Sequence, residues 1–350
     1  MASRVFLLFL LLHFSVVAMA SEPGKFRGVL IFGDSTVDTG NNNYVPTLFR
    51  ANHSPYGLNF VDGSATGRFS DGWLVPDLLA AGLGIKDSVP PFLDPRLSDR
   101  DLLTGVNFAS AGSGFDDLTT AASGVIPVSK QLKMFETYVG RLGRIVGEEE
   151  ASGIVGDSLI LISAGTNDFL FNYYDVPTRR LQFGIRGYQD FLLKKVHAGI
   201  KKIYELGGRK FVVPGLAPIG CVPLQRNGNV LSDRACKHDQ NSDAVVFNDK
   251  LKNLLSTIQT SLPGIRVAYL NLFDIVGDMI SNPNKYGFKE AKRGCCGAGF
   301  LEVGPLCNAI TPACRDASKF VFWDAVHPSQ AVCKILAKMI LDELVPSLLH

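Results

Sequence analysis

The sequence predicts an α/β protein in one domain, built on a parallel sheet of about five strands with helices on both faces. Three observations carry this. Short runs rich in Val, Ile and Phe recur along the chain without clean alternation, as expected of strands covered on both sides. Between them lie stretches whose apolar residues repeat at helical spacing. No linker, internal repeat or compositional break divides the 350 residues, and strands alternating with helices close into parallel sheets through crossover connections.

The elements follow in order. A first strand covers Gly28–Phe32, and Asp71 is placed to cap a helix running to about Ala81. A second strand at Gly105–Ala109 precedes a helix over Ser129–Gly143. The third strand, Ser158–Ser163, leads to a helix over Gly187–Leu206, striped by Tyr188, Phe191, Leu192, Val196, Ile200 and Ile203 and stopped by Gly207-Gly208. The fourth strand is Lys210–Val213, followed by a helix over Asn241–Leu262 that ends before Pro263-Gly264. The fifth strand is Arg266–Leu270. The last helix opens at Pro328, whose fixed φ suits a first helical position, and turns Val332, Ile335, Leu336, Met339 and Ile340 inward.

Composition narrows the class. Lys+Arg number 35 and Asp+Glu 33, a net charge of +2 that offers nothing to nucleic acid. With 46% hydrophobic and 19% charged residues the chain is no disordered segment, and its 35 glycines and 18 prolines follow no collagen-like register. Residues 1–20 read as a cleavable secretory signal: Arg4, an apolar stretch from Val5, and Ala18-Met-Ala20 as a small-x-small site, with a mature start near Ser21. That stretch, broken by His13, is shorter than the ~20 residues a membrane span needs, and no later segment comes close. An exported, extracellular protein is expected. All seven cysteines fall after residue 220, as suits disulfides formed in an oxidising compartment. Cys221 with Cys236 can close one loop, and Cys295 or Cys296 with Cys307 or Cys314 others. Cys333, inside the last helix, is the odd thiol. Asn52-His-Ser54 is an N-glycosylation sequon.

In open parallel sheets, sites form beyond the carboxyl ends of the strands. There the chain carries Gly33-Asp-Ser35-Thr after the first strand, Ala111-Gly112-Ser-Gly114 after the second, Gly165-Thr-Asn167-Asp after the third, and Asp324-Ala-Val-His327 near the end. These are the parts acyl transfer needs. Ser35 Oγ is a weak nucleophile until a base takes its proton, and His327 has a carboxylate three residues away, Asp324, to hold its Nδ1 proton and leave Nε2 for the serine. The N–H groups of Ser35 and Gly112 and the Asn167 amide can converge on an oxyanion. Each fragment alone has a plainer reading as a polar turn or a helix cap. Their joint occurrence behind successive strands favours a site.

These same segments resemble a plant-type GDSL esterase/lipase of the SGNH hydrolase superfamily. The resemblance rests on Phe32-Gly-Asp-Ser-Thr-Val-Asp-Thr-Gly-Asn-Asn-Asn43, Gly67-Arg-Phe-Ser-Asp-Gly72, Val106-Asn-Phe-Ala-Ser-Ala-Gly-Ser-Gly114, Gly165-Thr-Asn-Asp168, Cys295-Cys-Gly297 and Phe322-Trp-Asp-Ala-Val-His-Pro328. It covers essentially the whole mature chain. It implies a flavodoxin-like three-layer α/β/α sandwich, with the four family residues at Ser35, Gly112, Asn167 and His327, and Asp324 completing the triad. Thr36 stands where the family name has leucine, and Ala325-Val326 fill the variable interior of Asp-x-x-His. Other classes fit worse, since no G-x-S-x-G elbow, dinucleotide fingerprint or Walker loop is present. His53, His197, His238 and His350 make no metal spacing, and no metal or cofactor is expected. The expected activity is cleavage of a small-molecule or polymer-borne ester, whether lipid, acetyl-polysaccharide or phenolic, through an acyl-serine. Acyl transfer to an alcohol other than water uses the same serine, and a binding protein on the hydrolase scaffold is the non-enzymatic alternative. Phe169–Tyr174 are candidates to line the pocket or to join the core.

Overall fold

In the computed structural model, which describes residues 26–228 and 233–349, four parallel strands lie side by side as β1 (Gly28–Gly33), β2 (Ser158–Ser163), β3 (Lys210–Pro214) and β4 (Arg266–Leu270). Ile31 pairs with Leu161, Leu161 with Val212, and Val212 with Ala268. The predicted signal segment and Ser21 lie outside the described residues, as does His350.

The remaining predicted strand, Gly105–Ala109, lies along the free edge of β1 with an irregular ladder. Phe108 N–H donates to Ile31 O at 2.7 Å and Ile31 N–H to Val106 O at 3.2 Å, yet only Asn107 forms a bridge to β1. The segment enters through Gly105 at φ +89°, where a Cβ would sit 2.2 Å from Val29 O. On its outer side Asn107 pairs with Pro90 O and Phe92 N, so this edge is covered. Numbered by sequence, the five segments stand in the order 2-1-3-4-5. That is the flavodoxin-like arrangement, whose switch point falls at the carboxyl end of β1.

Alternation along the strands divides the core in two. Leu30, Phe32, Ile160, Ile162 and Phe211 face one layer, formed with α2 (Val128–Val146), α3 (Ile185–Glu205) and α4 (His238–Ser261). Val29, Ile31, Leu159, Leu161 and Val212 face the other, with α1 (Val75–Gly82), α5 (Leu272–Ser281) and α6 (Gln330–Met339). The result is a three-layer α/β/α sandwich.

Two helix starts differ from expectation. Asp71 does not cap α1; the first turn is closed by Asp77, whose Oδ2 accepts Leu74 N–H at 3.1 Å. Asp71 instead accepts Gln330 N–H at 2.7 Å at the start of α6. That helix begins at Gln330 rather than Pro328, because Pro328 is held in an antiparallel bridge to Phe322. A second, two-stranded parallel sheet of β5 (Glu290–Gly294) and β6 (Phe320–Phe322) goes beyond the expected strands. Past it, Cys295 and Cys296 N–H donate to Phe322 and Trp323 carbonyls. The disulfides are Cys221–Cys236, Cys295–Cys314 and Cys296–Cys307, and Cys333 is free and buried.

Candidate active site

β1 ends in a residue that must be glycine. Gly33 has φ +143°, and a Cβ there would lie 1.9 Å from Ser163 O. Gln131 of α2 fixes it from the side, accepting Gly33 N–H at 2.9 Å and donating to Gly33 O at 2.8 Å. The chain then turns: Asp34 N–H donates to Ser163 O, and Asp38 N–H to Asp34 O. Asp34 Oδ1 accepts the N–H and hydroxyl of Thr36, so this carboxylate braces the turn from within. Burial pushes the Asp34 carboxyl up, while those donors and His327 pull it down. Ser35 rides on this turn at the switch point.

The candidate base arrives from the opposite end of the chain. His327 Nε2 lies 2.7 Å from Ser35 Oγ, and its Nδ1 lies 2.7 Å and 2.9 Å from the two oxygens of Asp324. A carboxylate can only accept, so Nδ1 carries the proton and Nε2 is left to accept from the serine hydroxyl. Asp324 is itself fixed. Oδ1 accepts the N–H groups of Val326 and His327 at 2.8 Å and 2.7 Å, and Oδ2 accepts the Tyr56 hydroxyl at 2.8 Å. Tyr56 in turn accepts Gly304 N–H at 2.7 Å. The Phe69 ring packs 4.8 Å from the imidazole, and Ser35, His327 and Asp324 are all buried.

Gly112 and Asn167 sit on two neighbouring loops. Gly112 has φ +84°, and a Cβ there would meet nothing nearer than 3.6 Å, so conformation rather than space selects glycine. Asn167, in the short helix Thr166–Phe169, donates one amide N–H to Ser113 O at 2.8 Å, which orients the amide and leaves its second N–H uncommitted. The N–H groups of Ser35 and Gly112 donate to no protein acceptor among the described residues. Ser35 and Asn167 share the wall of one cavity of about 130 Å³; Gly112 is tied to it through Ser113.

Two buried carboxylates hold these loops. Asp38 accepts Gly40, Asn41 and Ala111 N–H groups at 2.8–2.9 Å, joining the turn after Ser35 to the approach of Gly112; burial pushes it up to about 6 against those bonds. Asp168 accepts Phe115 and Asp116 N–H and the Thr119 hydroxyl, and burial pushes it up to about 7. A Cβ on Gly114 would lie 2.1 Å from this carboxylate. The supporting roles of Tyr56, Gln131, Asp38 and Asp168 escape a reading of the sequence. Gln131 leaves a usable signal, a polar residue on the inward stripe between Val128 and Phe135; a lone tyrosine 268 positions from its partner leaves none.

Among the described residues no grouping of His, Cys, Asp or Glu could hold a metal ion. Asn52 is exposed in a loop. Phe169, Leu170 and Tyr173 are buried in the core and do not line the cavity.

A flavodoxin-like sheet bearing a serine, an imidazole and a carboxylate in series at its switch point has the form of an α/β/α hydrolase. Residues 29–340 match the model of the GDSL-like lipase/acylhydrolase family, and the chain belongs to that family, among the carboxylic ester hydrolases. It is 48% identical over 334 residues to GDSL esterase/lipase At2g31540 of Arabidopsis thaliana, covering 95% of this chain and 92% of that one. It is 49% identical over 321 residues to GDSL esterase/lipase At1g06990 of the same plant, covering 91% and 89%.

Proposed function

We propose that this chain is a secreted serine hydrolase that cleaves carboxylic esters through an acyl-serine intermediate. The observation that carries the reading is the unbroken relay from Asp324 through His327 to Ser35 Oγ, 2.7 Å from Nε2. Ser35 Oγ attacks the ester carbon while its proton passes to Nε2, and Asp324 stabilises the imidazolium so formed. The tetrahedral oxyanion takes hydrogen bonds from Ser35 N–H, Gly112 N–H and the uncommitted Asn167 N–H, each such donor being worth roughly 10²–10³ in rate. Collapse expels the alcohol, which receives the proton from Nε2. Water then repeats the sequence on the acyl-serine and releases the acid.

Export is supported by three disulfides, by the N-terminal signal pattern, and by the sequon at exposed Asn52, which we assign as a glycosylation site. Among the described residues no helix is long and apolar enough to cross a membrane. The test is Ser35→Ala. It removes one buried oxygen, should leave thermal unfolding nearly unchanged, and should abolish both p-nitrophenyl ester turnover and labelling by a fluorophosphonate. Turnover that survives the substitution would overturn the assignment.

A further inference from the structure

We propose that the acyl half of the substrate is an unbranched aliphatic chain, of about six carbons beyond the carbonyl, held in the cavity between the sheet and α6. The proposal rests on the ester-hydrolase reading and names the substrate class for it. The cavity begins at Ser35 and Asn167 and runs over Leu161 and Leu216 to Val332, Cys333, Leu336 and Ile340. Its polar side chains, Asp34, Ser35, Thr36, Ser163, Thr166 and Asn167, gather at the serine end. Beyond them the wall is apolar.

That distribution discriminates among ester classes. A sugar ring or a phenolic hydroxyl placed deep in the cavity would lose its water and find no partner. An acetyl group would leave most of the apolar space unfilled. An alkyl chain satisfies the whole wall. The size follows from comparison, since an apolar cavity of about 150 Å³ holds a benzene ring and this one is about 130 Å³. The position of the wall follows from α6 and the π-helical turn that continues it, where residues 332, 333, 336 and 340 repeat at helical spacing on the sheet-facing side. At Cys333 the side chain is small. Its thiol, pushed up to about 12 by burial, stays protonated and serves as wall rather than nucleophile.

The experiment is a series of p-nitrophenyl esters from acetate to palmitate. kcat/KM should rise about fourfold per added methylene up to hexanoate or octanoate, as expected if each methylene is buried, and then fall. Cys333→Phe, which fills the cavity, should lower the hexanoate-to-acetate ratio of kcat/KM at least tenfold. Ile340→Ala, which lengthens it, should raise the decanoate-to-hexanoate ratio at least threefold and covers the case in which the phenylalanine variant does not fold. A profile that is flat, highest at acetate, or exceeded by feruloyl esters overturns the proposal while leaving the ester-hydrolase reading intact. Absence of all ester turnover and of Ser35 labelling defeats that reading instead. In that event calorimetric titration of wild type with 1-hexanol decides the cavity: saturable binding lost in Cys333→Phe upholds an alkyl site, and no binding overturns it.

Discussion

Asp324→Asn tests the relay most directly, because the surrounding donors dictate which way the new amide must face. Oδ1 of Asp324 receives the N–H groups of Val326 and His327, so only the amide oxygen fits that place. Turning the amide around would set its NH₂ against two buried N–H donors, at about 1–3 kcal/mol for each donor left unsatisfied. The NH₂ therefore takes the place of Oδ2, facing Tyr56 and His327 Nδ1. There it can only donate. The nearer neighbour of Nδ1, at 2.7 Å, is now a donor, while the retained oxygen at 2.9 Å already takes two backbone N–H groups; the imidazole proton moves to Nε2, and the serine meets a donor where it needs an acceptor. In serine triads this wrong tautomer costs roughly 10⁴ in kcat, about 5.5 kcal/mol of barrier. We expect kcat for p-nitrophenyl hexanoate to fall by about that factor with KM little changed, and fluorophosphonate labelling to slow in parallel. The thermal midpoint should hold to within a few degrees, since the packing and both backbone bonds remain. More than about a tenth of wild-type kcat in the Asn variant, or an imidazole that keeps its Nδ1 proton by ¹⁵N NMR, would refute the reasoning.

Two further outcomes follow from the buried polar network. Tyr56→Phe removes the donor to Asp324 Oδ2 and leaves Gly304 N–H buried without its acceptor; denaturant unfolding should show a loss of about 2–3 kcal/mol, with kcat down about tenfold because Asp324 keeps its two backbone donors. An unchanged unfolding midpoint would contradict the bond. Asp168 is raised from 3.8 to about 7, so its contribution to stability is full below about pH 4 and is lost as pH rises through about 7, with a slope of up to about 1.4 kcal/mol per pH unit between them. Asp38, raised to about 6, adds a similar loss over about pH 4 to 6. The thermal midpoint of wild type should thus fall from pH 5 to pH 8, and that of Asp168→Asn should fall less; a midpoint that rises over this range in both proteins would count against the raised carboxyls.

What can be read from the sequence is what local chemistry dictates. β1, β2 and the middle of β3 announce themselves because both faces are buried and every residue of a run such as Leu159-Ile-Leu-Ile162 must be apolar. The polar fragments at the strand ends are legible because a parallel sheet exposes functional turns only there, and the order of the strands then determines which turns meet. The edge segment at Gly105–Ala109 shows itself by its apolar run, but its broken ladder depends on Gly105 and on the chain at Pro90–Phe92, neither of which a strand pattern encodes. β5 is missed for a physical reason: Glu290-Ala-Lys-Arg-Gly294 keeps only Ala291 and Gly294 buried, and a strand so exposed carries no hydrophobic signature.

That small sheet explains how the late histidine meets the early serine. Pairing of β5 with β6 continues through Cys295 and Cys296, whose N–H groups bind the carbonyls of Phe322 and Trp323. Cys295 is tied to Cys314 and Cys296 to Cys307, so the chain just past β5 is anchored twice. Trp323, fully buried, then donates its N–H to His327 O, closing the tight loop that brings Asp324 back onto its own histidine. Directly after this loop, Asp71 receives Gln330 N–H at 2.7 Å, so the segment Gly67–Gly72 docks the start of α6. The helix that forms the cavity wall and the loop that carries His327 are therefore held by neighbouring contacts.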